Sequence, residues 1–226
     1  MHFISNSKKC NKILVFIHGI ASTSATFSEQ IEIFKEDYYI LSIDLPGYGG
    51  SKLLEINNIK NYADTVYKFL LSKKIKKPIL IGHSLGGMIV QQIIADHKGF
   101  AEAAVLIATT AKFGSKDLSW QNKFINSRLK PLEDGKSMKE ISVTAIKNIT
   151  VPSTSKHLIS TASKIMASIS KEAYKSAILS LINFDLRHKL NNINIPILLI
   201  SGDNDKQAPA KTMLSMSKKN TRNFMK

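Results

Sequence analysis

The sequence predicts an α/β fold: a mostly parallel sheet with helices on both faces and a helical lid inserted into it. Three observations predict it. Apolar runs of strand length alternate with stretches of helical spacing through the first half of the chain, the pattern of parallel strands joined by crossover helices. A strand, a sharp glycine-rich turn and a helix follow one another directly between Pro78 and Ile94. The alternation then stops from about Ala111 to Phe184, where only helical spacing remains, and a strand pattern resumes at Ile195.

Taken in order, Lys12 to Ile17 reads as a buried strand closed by His18-Gly19-Ile20. After a small polar loop, Thr26 to Phe34 carries Phe27, Gln30, Ile31 and Phe34 at helical spacing. Tyr38 to Ile43 is the next buried strand, followed by the turn-rich loop Asp44-Leu45-Pro46-Gly47-Tyr48-Gly49-Gly50-Ser51. The next helix places Ile59, Tyr62, Ala63, Val66, Phe69 and Leu70 on one face. Pro78 to Ile81 is a strand, and the helix beyond the turn runs to about His97. Ala103 to Ala108 is another buried strand. In the helical stretch, Leu158, Ile159, Ala162, Ile165, Met166 and Ile169 share one face, as do Tyr174, Ala177, Ile178 and Leu181. Pro131 and Pro152 are expected to break this stretch into short helices. Ile195 to Ile200 is the last recognisable strand.

With 226 residues, 43% of them hydrophobic, the chain has ample length for a core. No apolar run approaches the ~20 residues of a membrane span. The start, Met1 to Lys9, has no apolar signal core. Cys10 is the only cysteine, which excludes an internal disulfide and fits a reducing, cytoplasmic setting. The net charge of +15 invites a nucleic-acid reading, but arginine stands only at 128, 187 and 222 among 32 basic residues. The planar guanidinium fork is the favoured reader of phosphates and bases. Scattered lysines read as a solvated surface, so no specific nucleic acid and no membrane is expected as partner.

Gly82-His83-Ser84-Leu85-Gly86-Gly87 carries the chemistry. G-x-S-x-G between a strand and a helix is a nucleophile elbow, with the serine hydroxyl exposed on a strained turn. Glycines at 82 and 86 remove Cβ atoms where backbones crowd. A serine hydroxyl needs a base, a carboxylate that orients the base, and N–H donors for the developing oxyanion. Leu85, the residue after Ser84, supplies one oxyanion donor. The second is expected from Ile20, in the loop after the first buried strand. His18, at a strand end before Gly19, reads as a brace for that loop. Asp203 and Asp205 both follow the last strand, at the carboxyl end where catalytic groups gather in parallel sheets.

Over nearly its whole length the chain resembles the α/β-hydrolase superfamily. The matches are His18-Gly19, the Asp44–Ser51 loop, the elbow, and the G-x-x-D-x-x-x-P spacing of Gly202, Asp205 and Pro209. That last pattern favours Asp205 over Asp203 as the acid. Two stretches are similar to the 3-oxoadipate enol-lactonase group, the second shared with related carboxylesterases. They are Ala108 to Gly114 leading to Trp120, and Phe184-Asp185-Leu186-Arg187 leading to Pro196. The resemblance implies hydrolysis of a small-molecule ester or lactone through an acyl-serine, with no metal or organic cofactor. It divides the chain into a core part over 1–110, a lid over 111–187 and the rest of the core over 188–226.

The resemblance also puts a catalytic histidine downstream of the acid, yet Lys206 to Lys226 contain none. Ser217 to Lys226 is polar and basic, unlike a buried strand. The expectation is therefore a chain truncated before the histidine, without its last strand and closing helix, leaving the strand at 195–200 on the sheet edge. His83 is expected to point away from the site, and His2 and His97 lie far from it. His157 and His188, in or near the lid, are the remaining candidates for a substitute base. Two functions stay open: a serine hydrolase, and a catalytically silent domain that binds a small acyl ligand.

Overall fold

The computed structural model describes residues 1–7, 10–56, 58–114, 118–218 and 223–225. Its strands are β1 (Phe3–Ser5), β2 (Ile13–Ile17), β3 (Tyr39–Ile43), β4 (Ile79–His83), β5 (Ala103–Ile107), β6 (Ile197–Ile200) and β7 (Asn223–Met225). They form one sheet in the order β1-β3-β2-β4-β5-β6-β7. All neighbours are parallel except β1, which lies antiparallel on β3 with Phe3 opposite Ile43.

The helices are α1 (Ser28–Phe34), α2 (Ile59–Ser72), α3 (Leu85–Asp96), α4 (Ser119–Glu133), α5 (Met138–Ile149), α6 (Lys156–Ala167), α7 (Lys171–Leu179) and α8 (Ala210–Ser217). The central strands are buried on both faces, and their two-residue period divides the core. Leu14 and Phe16 of β2 pack with Phe27, Ile31 and Ile40, while Val15 and Ile17 join the larger cluster that holds α2 and α3. Helix α2 starts at Asn58, whose Oδ1 accepts the Asn61 N–H at 2.9 Å. It buries Ile59, Tyr62, Ala63, Val66 and Leu70.

The lid helices α4 to α7 leave and rejoin the sheet through one neck. There Lys112 forms an antiparallel bridge with Asp185, the Phe113 N–H donates to Phe184 O, and the Leu186 N–H donates to Ala111 O. Serine caps open three of these helices: Ser137, in a capping box with Glu140, then Ser155 and Ser170. Pro152 separates α5 from α6 as expected. Pro131, expected to break its helix, does not: α4 runs through it to Glu133.

The sheet edge differs from expectation. Asn223–Met225 pairs parallel with β6, Ile197 opposite Asn223 and Leu199 opposite Met225, so the sheet has a strand beyond β6. Three residues in a basic stretch give no readable periodicity; only the pairing reveals them. Of Ser217 to Lys226, residues 219–222 and 226 lie outside the described residues, Arg222 among them.

Candidate active site

Ser84 follows β4 directly and serves as the N-cap of α3, with φ 52° and ψ −114°. For a residue with a Cβ this is a strained backbone, and Ser84 stands half-buried at the end of β4. Three contacts hold it. The Ser84 N–H donates to Ile107 O at 2.9 Å, the Met88 N–H donates to Ser84 O at 3.2 Å, and Thr109 Oγ1 donates to the same oxygen at 2.7 Å. Thr109 was not singled out as a site residue from the sequence. Its only signal is a small polar side chain at the end of the strand next to the elbow.

Close backbone approach explains the glycines. A Cβ on Gly82 would overlap the Gly86 carbonyl, and one on Gly86 would overlap the carbonyl oxygen of Ile17. The first turn of α3 is thereby pressed against the end of β2. The loop that leaves β2 closes on the same point: a Cβ on Gly19 would stand 3.1 Å from Ser84 Cβ and 3.0 Å from His83 Nδ1. Gly19, the residue before Ile20, thus lies against Ser84, which Leu85 follows in the chain. Among the described residues no protein acceptor takes the N–H of Ile20 or Leu85.

His18 braces this loop. The Leu45 N–H donates to its Nε2 at 3.0 Å, which leaves Nδ1 protonated to donate to Gly19 O at 2.8 Å. Burial pushes its pKa down to about 4, so the ring is neutral at ordinary pH. Under the same loop the buried Asp44 carboxylate accepts the Ser24 N–H at 2.7 Å and the Gly50 N–H at 3.2 Å, and meets His2 Nδ1 at 2.6 Å.

Asp205 is half-buried and Asp203 exposed. Asp205 Oδ1 accepts the Gln207 N–H at 2.7 Å and the Ala208 N–H at 2.9 Å, so its carboxylate is locked by its own loop. Its charge reaches His83. Burial lowers the His83 pKa, and Asp205 works against that shift. The His83 ring packs against the loop after β2, where a Cβ on Gly19 would stand 3.0 Å from its Nδ1. Among the described residues no imidazole hydrogen-bonds to Ser84 Oγ or to Asp205. His97 stacks on Tyr67 at 3.5 Å, His157 is exposed on α6, and His188 is exposed where the chain leaves the lid.

A family model described as alpha/beta hydrolase fold matches residues 12–226. A putative esterase/lipase 2 of Mycoplasma genitalium is 32% identical over 90 residues, 38% of this chain and 34% of that protein. The chain thus matches about a third of that relative's length. A pimeloyl-[acyl-carrier protein] methyl ester esterase of Vibrio atlanticus is 22% identical over 205 residues, 88% of this chain and 78% of the relative. The crystal structure of an enol-lactonase from Burkholderia xenovorans superposes with a TM-score of 0.87 at 18% identity, covering 99% of this chain and 86% of that one.

Proposed function

The chain belongs to the alpha/beta hydrolase family, and from that premise we propose that it hydrolyses a carboxylic ester or lactone through an acyl-serine intermediate. The observation that carries this reading is the left-handed backbone of Ser84, with the free N–H groups of Ile20 and Leu85 beside it. In this reading Ser84 Oγ attacks the carbonyl carbon while its proton passes to a general base, a role that no imidazole hydrogen-bonded to Ser84 or Asp205 fills among the described residues. The two N–H groups take the negative charge that develops on the carbonyl oxygen. The carbon–oxygen bond to the alcohol then breaks, and the leaving oxygen takes the proton from the base. Water attacks the acyl-serine in the same way and releases the acid. Support comes from relatives named as esterases and from a solved enol-lactonase of the same fold. The single cysteine, Cys10, suits the reducing cytoplasm.

A second reading has its own observation: no imidazole among the described residues bridges Ser84 and Asp205. Without a base, the oxyanion donors and binding alone leave roughly 10³-fold acceleration over water. The domain would then bind a small acyl compound and turn it over very slowly. Turnover of a chromogenic short-chain ester separates the two. Activity lost in Ser84→Ala supports the hydrolase, and a folded protein that binds the ester without turnover supports the silent domain.

A further inference from the structure

The segment from His18 to Ser24, which carries Ile20, is pinned at both ends by one dipeptide, Asp44-Leu45. At one end the Leu45 N–H donates to His18 Nε2 at 3.0 Å, and His18 Nδ1 donates to Gly19 O at 2.8 Å. At the other end the Ser24 N–H donates to Asp44 Oδ1 at 2.7 Å. Between the pins Ala21 holds φ 61°, a left-handed backbone that a residue with a Cβ keeps only where its surroundings impose it. Gly19 lies against the nucleophile, since a Cβ there would stand 3.1 Å from Ser84 Cβ. The placing of Asp44 therefore sets the placing of the loop against Ser84.

Asp44 is held in turn by His2. A carboxylate only accepts, so His2 Nδ1 carries the proton and donates to Asp44 Oδ2 at 2.6 Å. The Asp44 N–H donates to His2 O at 3.0 Å. The His2 N–H donates to Ser51 Oγ at 2.8 Å, and that hydroxyl donates to Asp44 O at 2.7 Å. A Cβ on Gly50 would stand 2.7 Å from His2 Cγ, so the ring is pressed on the backbone of the same loop. The Asp44 side chain is 2% exposed and that of His2 51%, so the imidazole closes a buried carboxylate on its solvent side. We propose that His2 is a positioning residue: through Asp44 it fixes the loop that presents the Ile20 N–H to the developing oxyanion. The inference rests on the hydrolase reading for the use of that N–H. Without the ring, Oδ2 loses a charge-assisted bond and turns to water, and the hold of Asp44 on Ser24 loosens with it. A donor that drifts from the oxyanion's position stabilises the transition state less while ground-state binding is untouched.

The test follows two readouts in the full chain, in His2→Ala and in His2→Asn, whose side-chain nitrogen puts a donor where Nδ1 stands. Hydrogen exchange by NMR reads the Ser24 and Leu45 amides, the two pins of the loop. Hydrolysis of a short-chain ester reads kcat and KM. In His2→Ala both amides are expected to exchange about 10-fold faster, the worth of one hydrogen bond to a charged group. The kcat falls about 10-fold with KM unchanged, less than the roughly 10²–10³ of losing a donor outright. His2→Asn restores both. Unchanged exchange at Ser24 and Leu45, or a kcat equal to the parent's, overturns the proposal. So does exchange that quickens as much in β2 and β4 as at the two pins, since His2 would then only add to the stability of the sheet. A parent chain without turnover contradicts the hydrolase reading, and the two amides still decide whether His2 holds the loop.

Discussion

Gly19 and Ser84 face each other so closely that a Cβ on the glycine would stand 3.1 Å from the serine Cβ. The loop that carries Ile20 has no slack over the nucleophile. Gly19→Ala forces it outward by a few tenths of an ångström and moves the Ile20 N–H with it. Misplacing one oxyanion donor costs about 10²-fold in ester turnover, against roughly 10²–10³ for outright removal. The melting temperature should move little, since nothing but the loop shifts. Turnover of a short-chain ester and a thermal melt check both halves.

Gly86 is a matter of stability. Its missing Cβ leaves room for the Ile17 carbonyl oxygen, a backbone atom at the end of β2, a strand paired on both sides, that cannot step aside. Gly86→Ala is expected to destabilise the fold by about 3 kcal/mol, the upper end of overpacking effects. Urea unfolding measures it.

The neutral, buried His18 makes stability depend on pH. Its folded pKa of about 4 lies below the ordinary 6.5, so the unfolded chain binds the proton first as the solution is acidified. Its contribution is whole above pH 6.5 and declines as pH falls toward 4. In His18→Gln this part of the slope disappears. Unfolding free energies of both proteins at pH 7 and pH 5 should therefore differ less at pH 5.

Asp44 acts in the same direction at lower pH. Burial alone would raise its pKa, but the Ser24 N–H, His2 and the Gly50 N–H more than offset that, and the carboxyl ends below its ordinary value of 3.8. Its stabilisation is present above that value and is lost as pH falls through the lower folded one. Asp44→Asn leaves two backbone donors poorly matched and is expected to cost about 2 kcal/mol at pH 7. The deficit against the parent shrinks below pH 3.8, as chemical denaturation across that range will show.

Local patterns were legible in the sequence, and long-range ones were not. Ile59, Tyr62, Ala63, Val66 and Leu70 mark α2 because one apolar stripe suffices to define a helix. The elbow at Ser84 was legible because strand, glycines and helix are contiguous. Strand β1 was not, since its three residues are set by pairing with β3 and by the contact of His2 with Asp44. The same holds for β7. Thr109 reaches Ser84 across 25 residues, and Arg128 reaches Gln207 across 79, distances no local period records. Pro131 was misread because α4 continues past it to Glu133, and Gly135 with φ 85° follows the helix end.

The most direct measurement uses a fluorophosphonate probe on the full chain, with mass spectrometry to find the modified residue. The account predicts one phosphonylated side chain, Ser84, and none in Ser84→Ala. A folded protein that stays unlabelled, or labels at another serine, would contradict the assignment of Ser84 as an activated nucleophile.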